Sequence, residues 1–272
     1  MQVRAMTDRH HAEVARRWNQ NADQWTRDVR DGYDLYRDLF TFPAFRDFLP
    51  PLTGLRVVDL GCGEGSNTRR FARMGARMTG VDISDRLIEH ARQAEDRAPL
   101  GIAYTVCSYS ADTGFPEASF DAALSTMALM DGPDFEGAMH EAYRLVRPGG
   151  FIAFSISHPC FITPDLQWQE DDEGRRIALR VSRYFDRTDF TEHWRFGSRP
   201  KEEDVTPFAV PRFPRTISDY LNAVAAAGFR ISRIDEPRPT SEACTAAPRL
   251  ARWRDIAAFV LLVRADRPAR AP

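Results

Sequence analysis

Long apolar runs are missing from this sequence. The longest, Ile256 to Val263, falls far short of the ~20 residues that a membrane-spanning helix needs. The opening residues, Met1 to Asp8, contain no apolar core, so no secretory leader is expected. Cysteine is scarce and scattered. Cys62, Cys107, Cys160 and Cys244 form no C-x-x-C pair, which argues against a zinc site or a disulfide framework and points to a reducing, cytoplasmic setting. An excess of either charge is also lacking. The 37 basic residues face 39 acidic ones, a net charge of −2, and the basic residues are nearly all arginine, with Lys201 the single lysine. A nucleic-acid footprint would need a clustered positive excess, so no nucleic-acid or membrane partner is expected. What is present is ordinary for a globular chain: 272 residues, 43% of them hydrophobic, suffice for one large domain or two small ones.

Apolar periodicity divides the chain. Residues 9 to 49 read as helical, with Val14, Ala15, Trp18, Ala22 and Trp25 on one stripe and an interruption at Gly32. From Gly54 the pattern alternates. Strands are expected over Leu55–Leu60, Ala76–Asp82, Ile102–Cys107, Phe120–Thr126 and Phe151–Ile156, with helices between several of them. Such alternation implies parallel strands joined by right-handed crossovers, hence an α/β doubly wound, Rossmann-like sheet. Residues 159 to 214 break the rhythm. They are rich in aromatics and carry short alternating stretches, the mark of an antiparallel insertion, read as a lid. A helix over Ser218–Ala227, a strand over Phe229–Ile234, an irregular stretch and a strand over Ile256–Val263 follow, and residues 265–272 read as a loose tail. The expected divisions are a helical cap (1–53), a cofactor-binding core (54–158), the insertion (159–214) and the last part of the core sheet (215–272).

The most informative stretch is Asp59-Leu60-Gly61-Cys62-Gly63-Glu64-Gly65, between a strand and a helix. Glycines there allow a sharp turn and a close approach of ligand to backbone. The spacing is not that of a dinucleotide fingerprint, because Ser66 stands where the third glycine belongs. Asp59 at the strand end would repel a pyrophosphate and attract a cation. The implied ligand is a nucleoside that carries positive charge, and S-adenosylmethionine, with its ammonium and sulfonium groups, fits. Asp82 ends the next strand nineteen residues after Gly63, the offset of an acid that holds ribose hydroxyls. Cys62 reads as a small filler.

These segments, with Val81-Asp82-Ile83-Ser84, Phe115 to Asp121 and Arg144 to Gly150, resemble the class I S-adenosylmethionine-dependent methyltransferases of the small-molecule type, over about residues 14 to 158 and weakly in the final strands. The resemblance implies a seven-stranded sheet with its last strand antiparallel. It implies Gly61 and Gly63 beneath the methionyl portion of the cofactor, Asp82 on the ribose, and Ile83 and Met127 in the same pocket. The usual acid near the adenine is replaced by Tyr109 followed by Ser110, so Tyr109 is expected to stack on or flank the base and the backbone of Ser110 to serve the adenine edge. Trp25, Tyr33 and Arg37 lie on the N-terminal helices that the family folds over the cofactor, and Arg37 could pair with a carboxylate.

Methyl transfer needs proximity and orientation, and a base only where the acceptor must lose a proton. His158, directly after the fifth strand, is the candidate base; a loop histidine bonded to backbone is the competing reading. His193 and Tyr184 are second choices. The expected reaction is transfer to O or N of a small, flat or aromatic acceptor. A NAD-type Rossmann oxidoreductase and a non-catalytic nucleoside-binding protein remain as alternatives.

Overall fold

The computed structural model describes residues 2–200 and 205–269. Seven strands form the central sheet: β1 (Arg56–Leu60), β2 (Arg77–Asp82), β3 (Ala103–Val106), β4 (Phe120–Thr126), β5 (Val146–Ser157), β10 (Arg230–Asp235) and β11 (Val260–Asp266). Their order is β3-β2-β1-β4-β5-β11-β10. Strands β1 to β5 run parallel, and β11 is antiparallel to both of its neighbours. The period of two explains the two-sided core. Val58, Ala123 and Leu261 face α5 (Phe135–Leu145) and α6 (Ile217–Ala226). Their chain neighbours Val57, Ala122 and Leu262 face α2 (Phe42–Phe48), α3 (Ser66–Arg73) and α4 (Asp85–Arg97).

The N-terminal helix α1 (Gln2–Arg30) ends just before Gly32, whose φ of 81° is the left-handed conformation that stops a helix. A π-helical turn, Arg37–Thr41, leads into α2. The insertion consists of two antiparallel hairpins, β6 (Gln167–Glu170) with β7 (Arg176–Arg180), and β8 (Phe190–Trp194) with β9 (Phe208–Arg212). Its aromatics neither form a separate core nor simply cover a ligand. Trp194 and Phe208 pack edge-on and Phe196 tilted around Trp25 of α1, at centroid distances of 5.2–5.7 Å, so cap and insertion share one small core.

Three expectations change. The irregular stretch before the last strand contains α7 (Ser241–Ala246), capped by Thr240, and α8 (Ala251–Asp255), so that strand begins at Val260 rather than Ile256. Both helices are shorter than the window in which periodicity is readable. The segment from 265 is not a tail at its start. Ala265 is buried in β11, and the Arg267 guanidinium donates to the carbonyls of Tyr143 (2.6 Å) and Val146 (2.7 Å), satisfying the C-terminal end of α5. Pro148-Gly149-Gly150 does not precede β5 but lies within it, where the pairing with β4 shifts register. Among the described residues, no helix is long and apolar enough to cross a membrane.

Candidate functional site

A cavity of about 680 Å³ lies along the carboxyl ends of β2, β1, β4 and β5 and is roofed by α1, the π-helical turn and the β8–β9 hairpin. This is the edge at which open α/β sheets bind ligands. Its floor is the glycine turn. The amides of Gly61 and Cys62 both donate to the Val81 carbonyl (2.9 Å each), which binds the end of β1 to β2. Gly61, Gly63 and Gly65 have φ of 77°, 57° and 85°, conformations that disfavour any side chain.

Asp82 lies against this turn. Its two oxygens accept from the backbone N–H of Gly63 and of Ser84, each at 2.9 Å. A carboxylate offers about four lone-pair sites, so two remain for hydroxyl donors on the cavity side. Burial pushes its pKa up to about 6, although the amide donors oppose the shift. Ser84 caps α4, accepting from Leu87 N–H at 3.1 Å, and this fixes the chain that follows Asp82.

Glu64, inside the turn, is the acid that inspection of the sequence overlooked. It accepts from the Trp25 indole at 3.2 Å, lies 4.0 Å from Arg37, and lines the cavity. Its position between two glycines was the available signal. Asp59 is placed differently from expectation. It is 1% exposed, does not line the cavity, and accepts from Thr68 of α3 at 2.6 Å. Burial, reinforced by Asp82 and Glu64, pushes its pKa up to about 7. A strand side chain at that register points to the helix side of the sheet, so the carboxylates that face a ligand are Glu64 and Asp82.

Of the other expected residues, Trp25, Tyr33, Arg37, Gly61, Gly63, Ile83, Tyr109 and Met127 line the cavity together with Asp82. Tyr109 donates to the Ala128 carbonyl at 3.2 Å and packs against the Gly61 turn, and burial pushes its phenol pKa up. Met127 has a left-handed φ of 54°, held by its N–H bonds to the carbonyl (3.0 Å) and hydroxyl (3.1 Å) of Ser155, the kind of strained residue that collects at functional sites. Arg37 is bracketed by Asp38 (2.9 Å) and Asp34 (3.9 Å) as well as Glu64. Ser110 is not on the wall; its hydroxyl bonds His11 (2.9 Å) and Ser108 (3.0 Å).

His158 is also off the wall, and the geometry corrects the expectation that it is the base. It is 2% exposed, its Nδ1 accepts from Cys160 N–H (3.2 Å), and its Nε2 meets Glu236 at 2.5 Å. Burial lowers its pKa, outweighing Glu236, so the ring is neutral with its proton on Nε2. Neither nitrogen is left for an acceptor, and the ring instead joins the turn after β5 to the segment after β10. A His158→Gln variant is therefore expected to lose ~1–3 kcal/mol of stability in urea unfolding, while its turnover falls by less than the ~10² that loss of a general base costs. A catalytic defect without a stability defect would reverse this assignment. His193 is exposed on β8, and the Tyr184 hydroxyl accepts from Ile217 N–H at 3.0 Å beside a smaller neighbouring cavity. Unanticipated on the wall are Asp131, which pairs with Arg212, and Glu192, 2.7 Å from the same guanidinium.

These residues fit a cationic nucleoside. A Cβ built on Gly63 meets nothing within 4 Å, so the turn leaves open the space that a closely approaching ligand would fill. Asp82 retains acceptor capacity for two hydroxyls, and three mutually interacting carboxyl groups (Asp59, Glu64, Asp82) give the turn negative potential.

Comparison with known proteins agrees. Residues 58–154 match the family model described as a methyltransferase domain. An S-adenosylmethionine-dependent methyltransferase of Mesorhizobium loti, known from its crystal structure, is 33% identical; the match covers 82% of this chain and 96% of that one, with a TM-score of 0.66. Among curated relatives, demethylmenaquinone methyltransferase of Tropheryma whipplei is 32% identical over 57% of this chain and 64% of its own length. Ubiquinone biosynthesis O-methyltransferase of Methylocella silvestris is 40% identical over 38% of this chain and 40% of its own length. The chain thus spans less than two thirds of these curated relatives. The strand order, the glycine turn with Asp82 opposite it, and a relative matched over nearly its whole length lead to one conclusion: the chain belongs to the class I S-adenosylmethionine-dependent methyltransferases.

Proposed function

We propose that the chain transfers a methyl group from S-adenosylmethionine to an oxygen or nitrogen of a small, flat acceptor. The observation that carries this reading is the extent of the cavity. It continues past the glycine turn, over β4 and β5, to Tyr36, Ala247 and Phe259, and Trp18, Trp25, Trp194 and Phe196 line it on the roof side. That leaves an aromatic-walled space beyond the part that Gly63 and Asp82 would occupy with cofactor, suited to a planar ring. The curated relatives named for demethylmenaquinone and ubiquinone biosynthesis are consistent with such an acceptor.

When bound, the cofactor supplies a sulfonium methyl that is already electrophilic. The chain's own residues bind and orient. Gly61 and Gly63 admit the methionyl portion against the backbone, Asp82 takes the ribose hydroxyls, and Tyr109 and Ile83 flank the base. Arg37, already answered by Asp34 and Asp38, holds Glu64 at the turn, and Met127 is held at the β4 edge between the two halves. The aromatic roof excludes water, which would otherwise compete as acceptor. Where the acceptor must lose a proton, Asp131 is the available carboxylate. Burial raises its pKa to about 6 against the pull of Arg212, so it is ionised at neutral pH and can take a proton at its free oxygen.

The test is release of S-adenosylhomocysteine in the presence of a panel of phenols, amines and carboxylic acids. Turnover with at least one class is expected, and at saturating S-adenosylmethionine, where titration of Asp82 no longer limits binding, kcat rises through about pH 6 as Asp131 ionises. Asp131→Asn is expected to cost ~10²–10⁴ in kcat and to remove that acid limb. Cofactor binding with no turnover on any class would favour a non-catalytic nucleoside-binding protein, and an acid limb that survives in Asp131→Asn would assign the proton elsewhere.

A further inference from the structure

The charges on the cavity wall are not evenly answered. Two of its arginines are neutralised in place: Arg37 by Asp34, Asp38 and Glu64, and Arg212 by Asp131 and Glu192. Three others, Arg195, Arg249 and Arg252, also line the cavity, and none has a carboxylate within 4.0 Å among the described residues. They come from two distant segments, the residue after β8 and the α7–α8 region, yet they converge. The Arg249 guanidinium lies against the backbone of Gly197, two residues beyond Arg195. Arg252 donates to the Tyr36 hydroxyl at 2.9 Å, and Tyr36 in turn donates to the Arg249 carbonyl at 3.3 Å. The Arg252 guanidinium is stacked at 5.2–5.3 Å over the rings of Trp253 and Trp168, and its Nε is buried with no hydrogen-bond partner.

A half-buried guanidinium with an unmet donor is costly unless something meets it. Here the protein spends two tryptophans and a tyrosine on fixing its orientation rather than on neutralising it. The position is informative as well. Arg249 and Arg252 lie near Phe259, where β11 begins against the end of β5, whereas Asp82 ends β2. Four strand spacings separate β2 from β11, roughly 19 Å across the sheet. The cavity wall thus carries Glu64 and Asp82 at the glycine turn and, from the segment after β8 and the α7–α8 region, guanidinium groups with no carboxylate partner among the described residues.

We propose that the methyl acceptor is an organic anion whose carboxylate or phosphate group is received by Arg195, Arg249 and Arg252. This deepens the methyl-transfer reading and rests on it. Guanidinium forks suit either group, since both accept paired N–H donors in one plane. The arrangement would set the acceptor's polarity, with the anionic end against α8 and the reacting O or N turned toward Met127 and Asp131.

The experiment uses the full chain saturated with S-adenosylhomocysteine and titrates benzoate, phenyl phosphate and neutral benzamide by calorimetry. Benzoate or phenyl phosphate is expected to bind at least about tenfold more tightly than benzamide. Whichever does so identifies the group. The preference is expected to fall about tenfold or more in Arg249→Gln and in Arg195→Gln, both changes at exposed positions, and to be retained in part by Arg252→Lys. Equal binding of benzamide, or no binding of either anion, overturns the proposal. So does a loss of S-adenosylhomocysteine affinity in the arginine variants that matches their loss of anion binding, because the arginines would then be serving the cofactor's own carboxylate. Failure of the underlying reading looks different: the anion binds and the variants weaken it, but no anionic or neutral acceptor is ever methylated.

Discussion

Asp82→Ala is expected to weaken S-adenosylmethionine binding by about 10²-fold or more. Two charge-assisted hydrogen bonds to ribose hydroxyls are lost, each contributing ~1.5–3 kcal/mol. The Gly63 and Ser84 amides also lose their common acceptor, so the turn and the start of α4 are no longer tied to each other. Isothermal calorimetry with S-adenosylmethionine and S-adenosylhomocysteine reads this directly, and an Asp82→Ala dissociation constant within threefold of wild type, on the order of 0.7 kcal/mol or less, would remove Asp82 from the binding site. The pH dependence follows from the same group. Burial raises its folded-state pKa from 3.8 to about 6. The ionised form is the one that accepts both hydroxyls, so binding is expected to be constant above about pH 7 and to weaken as pH falls through 6. In Asp82→Asn that slope should shrink to whatever Asp34 and Asp131, both also raised to about 6 by burial, contribute on the same cavity. Stability has the opposite sign. The folded protein holds this proton more tightly than the unfolded chain does, so Asp82 makes the fold progressively less stable from about pH 4 to pH 6 and has no further effect above.

Gly61→Ala and Gly63→Ala are expected to separate folding from binding. A Cβ on Gly61 would lie 2.5 Å from the Cβ of Ala128, in a segment tied to Tyr109 and the end of β4, at a φ of 77°. Overpacking against a rigid neighbour costs ~1–3 kcal/mol, and the left-handed conformation a further ~1–2 kcal/mol. Urea unfolding should therefore report a loss of ~2–5 kcal/mol together with lost cofactor affinity. A Cβ on Gly63 meets no atom within 4 Å, so only the conformational cost of ~1–2 kcal/mol applies to folding. Its methyl projects into the space that ligand needs, and cofactor affinity should fall all the same. If Gly61→Ala unfolds at the wild-type urea concentration, the turn is more pliant than this geometry allows.

The parts of this molecule that could be read from sequence are those fixed by neighbours in the chain. Val57 and Val58 point to opposite faces because a strand alternates, and the glycines at 61, 63 and 65 mark a turn because they adopt left-handed angles that side chains disfavour. Asp82 was legible for a similar reason, since its distance from Gly63 is set by one helix and one strand. Asp59 was read as facing the ligand because the strand's end was known and its register was not. His158 occupies the right edge of the sheet, but while its bond to Cys160 is local, its partner Glu236 depends on where a segment 78 residues away returns. The aromatic insertion was recognisable by composition, whereas its packing on Trp18 and Trp25 of α1 joins residues with no shared periodicity. The arginine wall was invisible for the same reason. Arg249 and Arg252 lie on helices too short to announce themselves, and nothing near them in sequence marks a site.

Cap and insertion meet through one apolar cluster, with Val29 of α1 buried against Phe196, Phe208 and Val210, and through polar ties such as the paired hydrogen bonds of Asn21 with the Ala209 backbone. Neither piece can rise without unsticking the other, so the roof of the cavity, though built from two remote stretches of chain, holds or yields as one body.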